Sequence, residues 1–220
     1  MENIRDNLAK VQKNLKDGVL LVAVTKTHTA MEINEAIDAG VTDIGENKVQ
    51  EILDKYDKVK PVRWHMIGHL QTNKVKYIID KVSLIHSVDS MKLAQEIQKQ
   101  AQRHGITMDI LIQVNAAGEE SKFGIEPGSV KELIMEILDN CPNVNVKGLM
   151  FVAPFAEDPE EVRGYFAQVA AMYNEYSKIS HPRLDFRYLS MGMSHDYLTA
   201  MEEGANLVRV GSAIFGSRVY

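Results

Sequence analysis

The chain has 220 residues, 45% hydrophobic and 25% charged, with a net charge of −5. That length suffices for one well-buried domain, and the charge balance excludes a nucleic-acid binder of the basic-patch kind. The single Cys141 excludes an internal disulfide and fits a reducing compartment, while no apolar stretch approaches the roughly 18–20 residues of a membrane span.

Residues 1–8 hold no apolar signal core, so a cytoplasmic protein without membrane contact is expected. Ile4, Leu8, Val11 and Leu15 recur at helical spacing and predict an amphipathic N-terminal helix. A strand follows over Leu20–Lys26, then a helix over Met31–Ala39 stopped by Gly40. Strands are expected at Asp43–Glu46, Arg63–Gly68 and Leu84–Val88. A helix over Met91–His104 opens on Asp89 or Ser90 and ends at Gly105. Next come a strand at Met108–Asn115, a helix at Val130–Leu138 and a strand at Val146–Val152. A long helix over Glu160–Tyr176, a strand at Arg187–Met191, a helix at Tyr197–Glu203 and a strand at Leu207–Phe215 complete the chain.

About eight strand–helix units imply parallel strands joined by crossover helices. Apolar strands without strict alternation suit a sheet covered on both faces. The expectation is an α/β protein, a single (β/α)8 barrel domain over residues 1–220 with an added N-terminal helix. A doubly wound open sheet is the runner-up. Such barrels carry their chemistry at the C-terminal ends of the strands. Lys26, Asn47, Gly68, Asn115, Ser190–Ser194 and Gly211-Ser212 fall there.

Three features stand out against this scaffold. Lys26 ends an apolar strand on the face of Val22 and Val24. Such an amine either reaches solvent or loses its proton and becomes a nucleophile toward a carbonyl. Arg209 sits in an otherwise almost uncharged strand and needs an acceptor, either a barrel carboxylate or a ligand ring or anion. Two small-residue turns, Ser190-Met191-Gly192-Met193-Ser194 and Gly211-Ser212, end the last two strands, where barrels often place a phosphate. An amine, a guanidinium and a phosphate cradle together suit pyridoxal 5′-phosphate. It offers a carbonyl, a ring acceptor and a phosphate.

Five blocks then resemble a known family. They are Val22-Ala23-Val24-Thr25-Lys26, Ile44 to Glu51, Trp64 to Lys74, Leu189 to Ser194, and Val208 to Gly216. In this order they resemble the pyridoxal phosphate homeostasis protein family over nearly the whole chain. The resemblance implies a fold similar to the N-terminal barrel of alanine racemase and a Schiff base on the lysine matching Lys26. It implies phosphate contacts from Ser194, Gly211 and Ser212, a ring contact from Arg209, and Asn47 close by. With Met191 and Gly192 of the strand-seven turn, these residues form the expected cofactor set. No catalytic residue is expected. Three positions depart from the family pattern: Thr27-His28-Thr29 lacks the usual proline, His69 stands where proline is usual, and Lys48 often has an aromatic counterpart.

No spacing among His28, His65, His69, His86, His104, His181 and His195 gives a zinc pattern, so no metal is expected. Glu119–Gly124 reads as a loop near the site or a solvated charged turn. The methionines read as core filler, with Met191 and Met193 as packing residues or cofactor contacts. The expected function is a non-enzymatic, monomeric carrier of pyridoxal phosphate. It buffers the aldehyde, supplies apoenzymes and thereby affects amino-acid and keto-acid balance. The alternatives are a weak amino-acid racemase and a Schiff-base aldolase or sugar-phosphate isomerase.

Overall fold

The computed structural model describes residues 3–119 and 123–216. Its first helix, α1 (Ile4–Asn14), starts because Asn3 caps it: the Asn3 side-chain oxygen accepts from the amides of Arg5 and Asp6. Ile4, Leu8 and Val11 then form the buried stripe that the spacing predicts.

Eight parallel strands follow: β1 (Leu20–Val24), β2 (Asp43–Glu46), β3 (Arg63–Met66), β4 (Leu84–Val88), β5 (Met108–Val114), β6 (Val144–Phe151), β7 (Leu184–Ser190) and β8 (Leu207–Val210). Each pairs with the next, and β8 returns to pair with β1, closing the barrel. Ala23 faces Ile44 on one side and Val210 on the other, while Val22 faces Arg209. The open-sheet alternative is thereby excluded.

The covering helices are α2 (Ala30–Asp38), α3 (Val49–Lys55), α4 (Met91–His104), α5 (Val130–Asn140), α6 (Arg163–Tyr176), α7 (Tyr197–Glu202) and α8 (Ser212–Phe215). A 3-10 turn at Thr72–Tyr77 stands between β3 and β4. Strand alternation divides the apolar residues into two sets. Val22, Leu84, Leu111, Met150 and Leu207 pack inside the barrel, with Leu20, Val152 and Tyr188 against them. The larger set, including Ala23, Ile44, Met66, Ile85, Ile110 and Val208, faces the helices. Burial of each Val, Leu, Ile or Met side chain in these sets contributes about 1.5–3 kcal/mol.

Three expectations need correction. Strand β1 stops at Val24, two residues before Lys26, because the chain turns outward through Thr27 at φ +70°. Strand β8 stops at Val210: Gly211 breaks the extension and residues 212–215 form a helical turn. Short apolar runs such as Ala213-Ile214-Phe215 do not declare their period; Ile214 and Phe215 are buried where α8 packs on α1. Helix α3 is the third, an element the sequence reading leaves out, since only Val49 and Ile52 mark its buried side. No helix among the described residues is long and apolar enough to cross a membrane.

Candidate functional site

Lys26 lies just past β1, half-buried, and lines a small cavity of about 20 Å³ with Val24, His28, Gly211, Ser212 and Gly216. The amine-bearing residue and the last-strand turn are therefore neighbours. The backbone beyond it is held by a compact ionic cluster. Lys55 Nζ donates to the Thr25 carbonyl at 2.9 Å and to Glu46 Oε1 and Glu51 Oε2 at 2.8 Å each. Glu51 Oε2 in turn accepts the Thr27 amide at 2.7 Å. Burial pushes the Glu46 carboxyl up, against the hydrogen bonds from Lys55 and Thr25.

Thr27 has a left-handed backbone, which costs a β-branched residue about 1–2 kcal/mol. The Lys55 cluster overrides that preference. Thr27→Gly is accordingly expected to keep the turn and to raise stability by up to about 1 kcal/mol after glycine's entropic cost. Chemical denaturation of the two proteins measures this; a clear loss of stability in the glycine variant would show that Thr27 is unstrained.

The cradle is built from β7 and β8. Gly192, at φ +92°, turns the chain after β7; a Cβ there would lie 2.7 Å from the Ala200 Cβ and 2.8 Å from the Tyr197 Cα. Only glycine satisfies both conditions. The turn carries Ser194 to β8, where its Oγ accepts the amides of Gly211 at 3.1 Å and Ala213 at 3.3 Å. Two amides converging on one oxygen are what an oxyanion needs. Ser212 is exposed beside them. Met191 differs: its side chain is fully buried in the sheet–helix layer.

Arg209 is buried inside the barrel, and among the described residues no carboxylate is hydrogen-bonded to it, although the Asp196 charge acts on it. Its Nη1 donates to Ser190 Oγ at 2.5 Å and its Nη2 to the Phe151 carbonyl at 2.8 Å. Burial pushes its pKa down to about 10, which leaves it cationic at neutral pH.

Behind Arg209 runs a chain of buried polar groups. Ser190 Oγ meets His86 Nδ1 at 3.0 Å, His86 Nε2 meets His65 Nδ1 at 2.9 Å, and His65 Nε2 meets Asp43 Oδ1 at 2.9 Å. Arg63 closes the far end with Nε and Nη2 on the two Asp43 oxygens at 2.7 and 2.5 Å. An ionised Asp43 only accepts, so His65 Nε2 donates to it. His65 Nδ1 then accepts from His86 Nε2, and His86 Nδ1 accepts the Ser190 hydroxyl. The Ser190 lone pairs are left for Arg209. In this arrangement every donor along the chain points toward Asp43. Burial, reinforced by His65 and Arg209, holds His86 well below its usual value. Burial also acts to raise Asp43, but hydrogen bonds from His65, Arg63 and Thr42 outweigh it and lower its pKa.

The rest of the C-terminal mouth carries two further cavities. One, of about 260 Å³, is lined by Asn47, Gly68, His69, Gln113, Asn115, Phe123 and neighbours. Gly68 lies against Asn47: a Cβ there would come within 2.4 Å of the Asn47 carbonyl oxygen. His69 stacks on Phe123, with centroids 3.9 Å apart. Glu120, Ser121 and Lys122 of that loop lie outside the described residues. The other cavity, of about 250 Å³, is apolar, with Phe155, Met193 and His195 in its wall.

The structure thus brings Lys26, Ser194, Gly211, Ser212 and Gly192 to one end of the barrel, with Asn47 on the neighbouring cavity and Arg209 below. Sequence reasoning missed His86, His65 and Asp43, and read Ser190 only as part of the strand-seven turn. Their signal was present: polar residues at alternate positions of apolar strands. Among the described residues no group of three or more His, Cys, Asp or Glu is placed to hold a metal.

A parallel eight-stranded barrel with a lysine after β1 and a glycine-serine turn after β8 defines a class, the alanine-racemase type of barrel. The family model described as alanine racemase, N-terminal domain, matches residues 1–219. The alanine racemase of Clostridium difficile shares this fold at a TM-score of 0.77 and 14% identity, over 100% of this chain and 61% of its own. A closer likeness is the pyridoxal phosphate homeostasis protein of Aquifex aeolicus. It is 48% identical over 202 residues, 91% of this chain and 87% of the relative. PipY of Synechococcus elongatus, solved with PLP bound, superposes at a TM-score of 0.88 with 33% identity, over 97% of this chain and 100% of its own. The chain belongs to the pyridoxal phosphate homeostasis protein family.

Proposed function

We propose that this protein carries pyridoxal 5′-phosphate as a Schiff base on Lys26, buffers the free aldehyde and hands it to apoenzymes. The observation that carries the reading is the meeting of Lys26 with the Gly211-Ser212 turn at one cavity, above a buried Arg209. The family's name and the PLP-bound PipY structure support the ligand.

Pyridoxal phosphate supplies an aldehyde that condenses reversibly with an amine, releasing one water. Lys26 provides that amine from a backbone pinned by Lys55 and Glu51. The amides of Gly211 and Ala213, with the Ser194 and Ser212 hydroxyls, form the donor set for the anionic tail. Gly192 lets the Ser194 turn close, Met191 anchors that turn in the core, and Asn47 borders the ring. Arg209, cationic and with no carboxylate hydrogen-bonded to it among the described residues, keeps a neighbouring ring nitrogen from taking a proton. That choice weakens electron withdrawal and suits storage better than carbanion chemistry. The reading extends to a cytoplasmic monomer made of one barrel domain.

PLP-loaded protein mixed with the apo form of a PLP-dependent enzyme is expected to restore that enzyme's activity. The same loaded protein given L-alanine is expected to form little D-alanine. Racemisation on the order of 1 per second would replace the carrier by a racemase.

A further inference from the structure

The opposite mouth of the barrel holds a cavity of about 530 Å³ lined by Gly18, Leu20, Arg63, Arg187, Tyr188 and Asn206. Two guanidiniums share it and no carboxylate lines it, in a chain with 30 acidic and 25 basic residues. Asp43 pairs with Arg63 from within the barrel but does not line the opening. Its side chain is 1% exposed, and its two oxygens are taken by Arg63, His65 and Thr42. Arg63 is therefore locked by two of its nitrogens, and its remaining nitrogen, Nη1, has no bond to Asp43. A guanidinium fixed in this way has already lost the side-chain entropy that binding would cost.

The Arg187 guanidinium lies over the Tyr188 ring at 5.5 Å and makes no hydrogen bond or ion pair among the described residues. Tyr188 is also within electrostatic reach of Arg63. Two like charges beside one concave space, one rigid and one unpaired, raise the local concentration of anions. Arginine forks match carboxylate and phosphate oxygens.

We propose that this N-terminal mouth is a second binding site, taking a small dianion with carboxylate or phosphate groups between Arg63 and Arg187. It lies at the far end of the buried chain that starts at Arg209, and Arg63 belongs to both. The proposal stands whether or not Lys26 carries pyridoxal phosphate.

The test is titration of inorganic phosphate, and separately of succinate, into the full chain. Arginine Nε–H resonances are followed by NMR. Saturable shifts at Arg63 and Arg187 are expected with at least one probe. Arg187→Ala, a change at an exposed position, is expected to weaken the Arg63 response about tenfold or more, while Arg103→Ala on α4 leaves it unchanged. No saturable shift at either arginine with either probe up to about 10 mM would overturn the proposal, since even millimolar binding would then be missing. So would an Arg63 response of equal affinity in Arg187→Ala.

Discussion

Lys26→Ala is expected to abolish the visible absorbance that wild-type protein gains on addition of pyridoxal phosphate. The band requires a carbon–nitrogen double bond conjugated with the ring, and the alanine variant has no amine in the small cavity beside Gly211 and Ser212. Affinity is expected to fall on the order of a hundredfold, about 2.7 kcal/mol, because only the phosphate and ring contacts remain. Lys26→Arg sharpens the result: it keeps the positive charge but offers no condensing nitrogen. Loss of the band in both variants assigns the role to nucleophilicity rather than charge. Lys48→Ala, at an exposed lysine after the next strand, β2, is the control and keeps its band. A band that persists in Lys26→Ala would move the attachment point elsewhere and end the carrier proposal in its present form.

Changing His86 is expected to produce the second large effect. His86→Leu removes the acceptor of the Ser190 hydroxyl and the donor to His65 in one step. Ser190 and His65 each lose one of their buried hydrogen-bond partners, at about 1–3 kcal/mol each. Arg209 then loses the partner that orients Ser190 toward it. The bound cofactor's absorbance maximum is expected to shift as well, which a purely structural loss would not cause. His86→Gln gives a gentler test through pH. The folded protein keeps His86 neutral, whereas the unfolded chain protonates it below its ordinary value of 6.5. Below that pH the unfolded state binds more protons, so stability falls as pH falls. Between pH 7.5 and 5.5 this one group removes about 1.4 kcal/mol from wild type and nothing from the glutamine variant. The gap between the two proteins should shrink by that amount. Glu46, whose raised carboxyl acts with the opposite sign, is common to both and cancels. Asp43, held low, releases its contribution only in stronger acid. Denaturant midpoints at the two pH values measure the effect; an unchanged gap would mean that His86 titrates normally inside the barrel.

The parts of the site that could be read from sequence are those that contradict their local surroundings. Lys26 and Arg209 each place a charge in an apolar strand, and the two glycine-serine turns interrupt strands where nothing else explains the break. The buried chain was hidden for the opposite reason. His65 and His86 are 21 residues apart, and Ser190 lies 104 residues beyond His86. Each alone reads as an ordinary polar residue in a strand. Only the inward parity of β2, β3, β4, β7 and β8, combined with barrel closure, lines them up. The ends of β1 and β8 were misjudged by the same limit. Whether Thr25-Lys26 and Ala213-Ile214-Phe215 continue a strand depends on Lys55, Glu51 and α1, all distant in sequence.

The sequence by itself determined the alternation of strand and helix, the shared face of Val22, Val24 and Lys26, and the residue types at the strand ends. These are local quantities, set by side-chain period, by glycine's freedom and by the cost of burying charge. Tertiary structure alone decided which strand ends meet. It placed Ser194 on the amides of Gly211 and Ala213, joined Arg209 to Asp43 through two histidines, and gathered Arg63 and Arg187 at the opposite mouth. Neighbours across a closed barrel follow from strand register and closure, and neither is encoded in any short window of the chain.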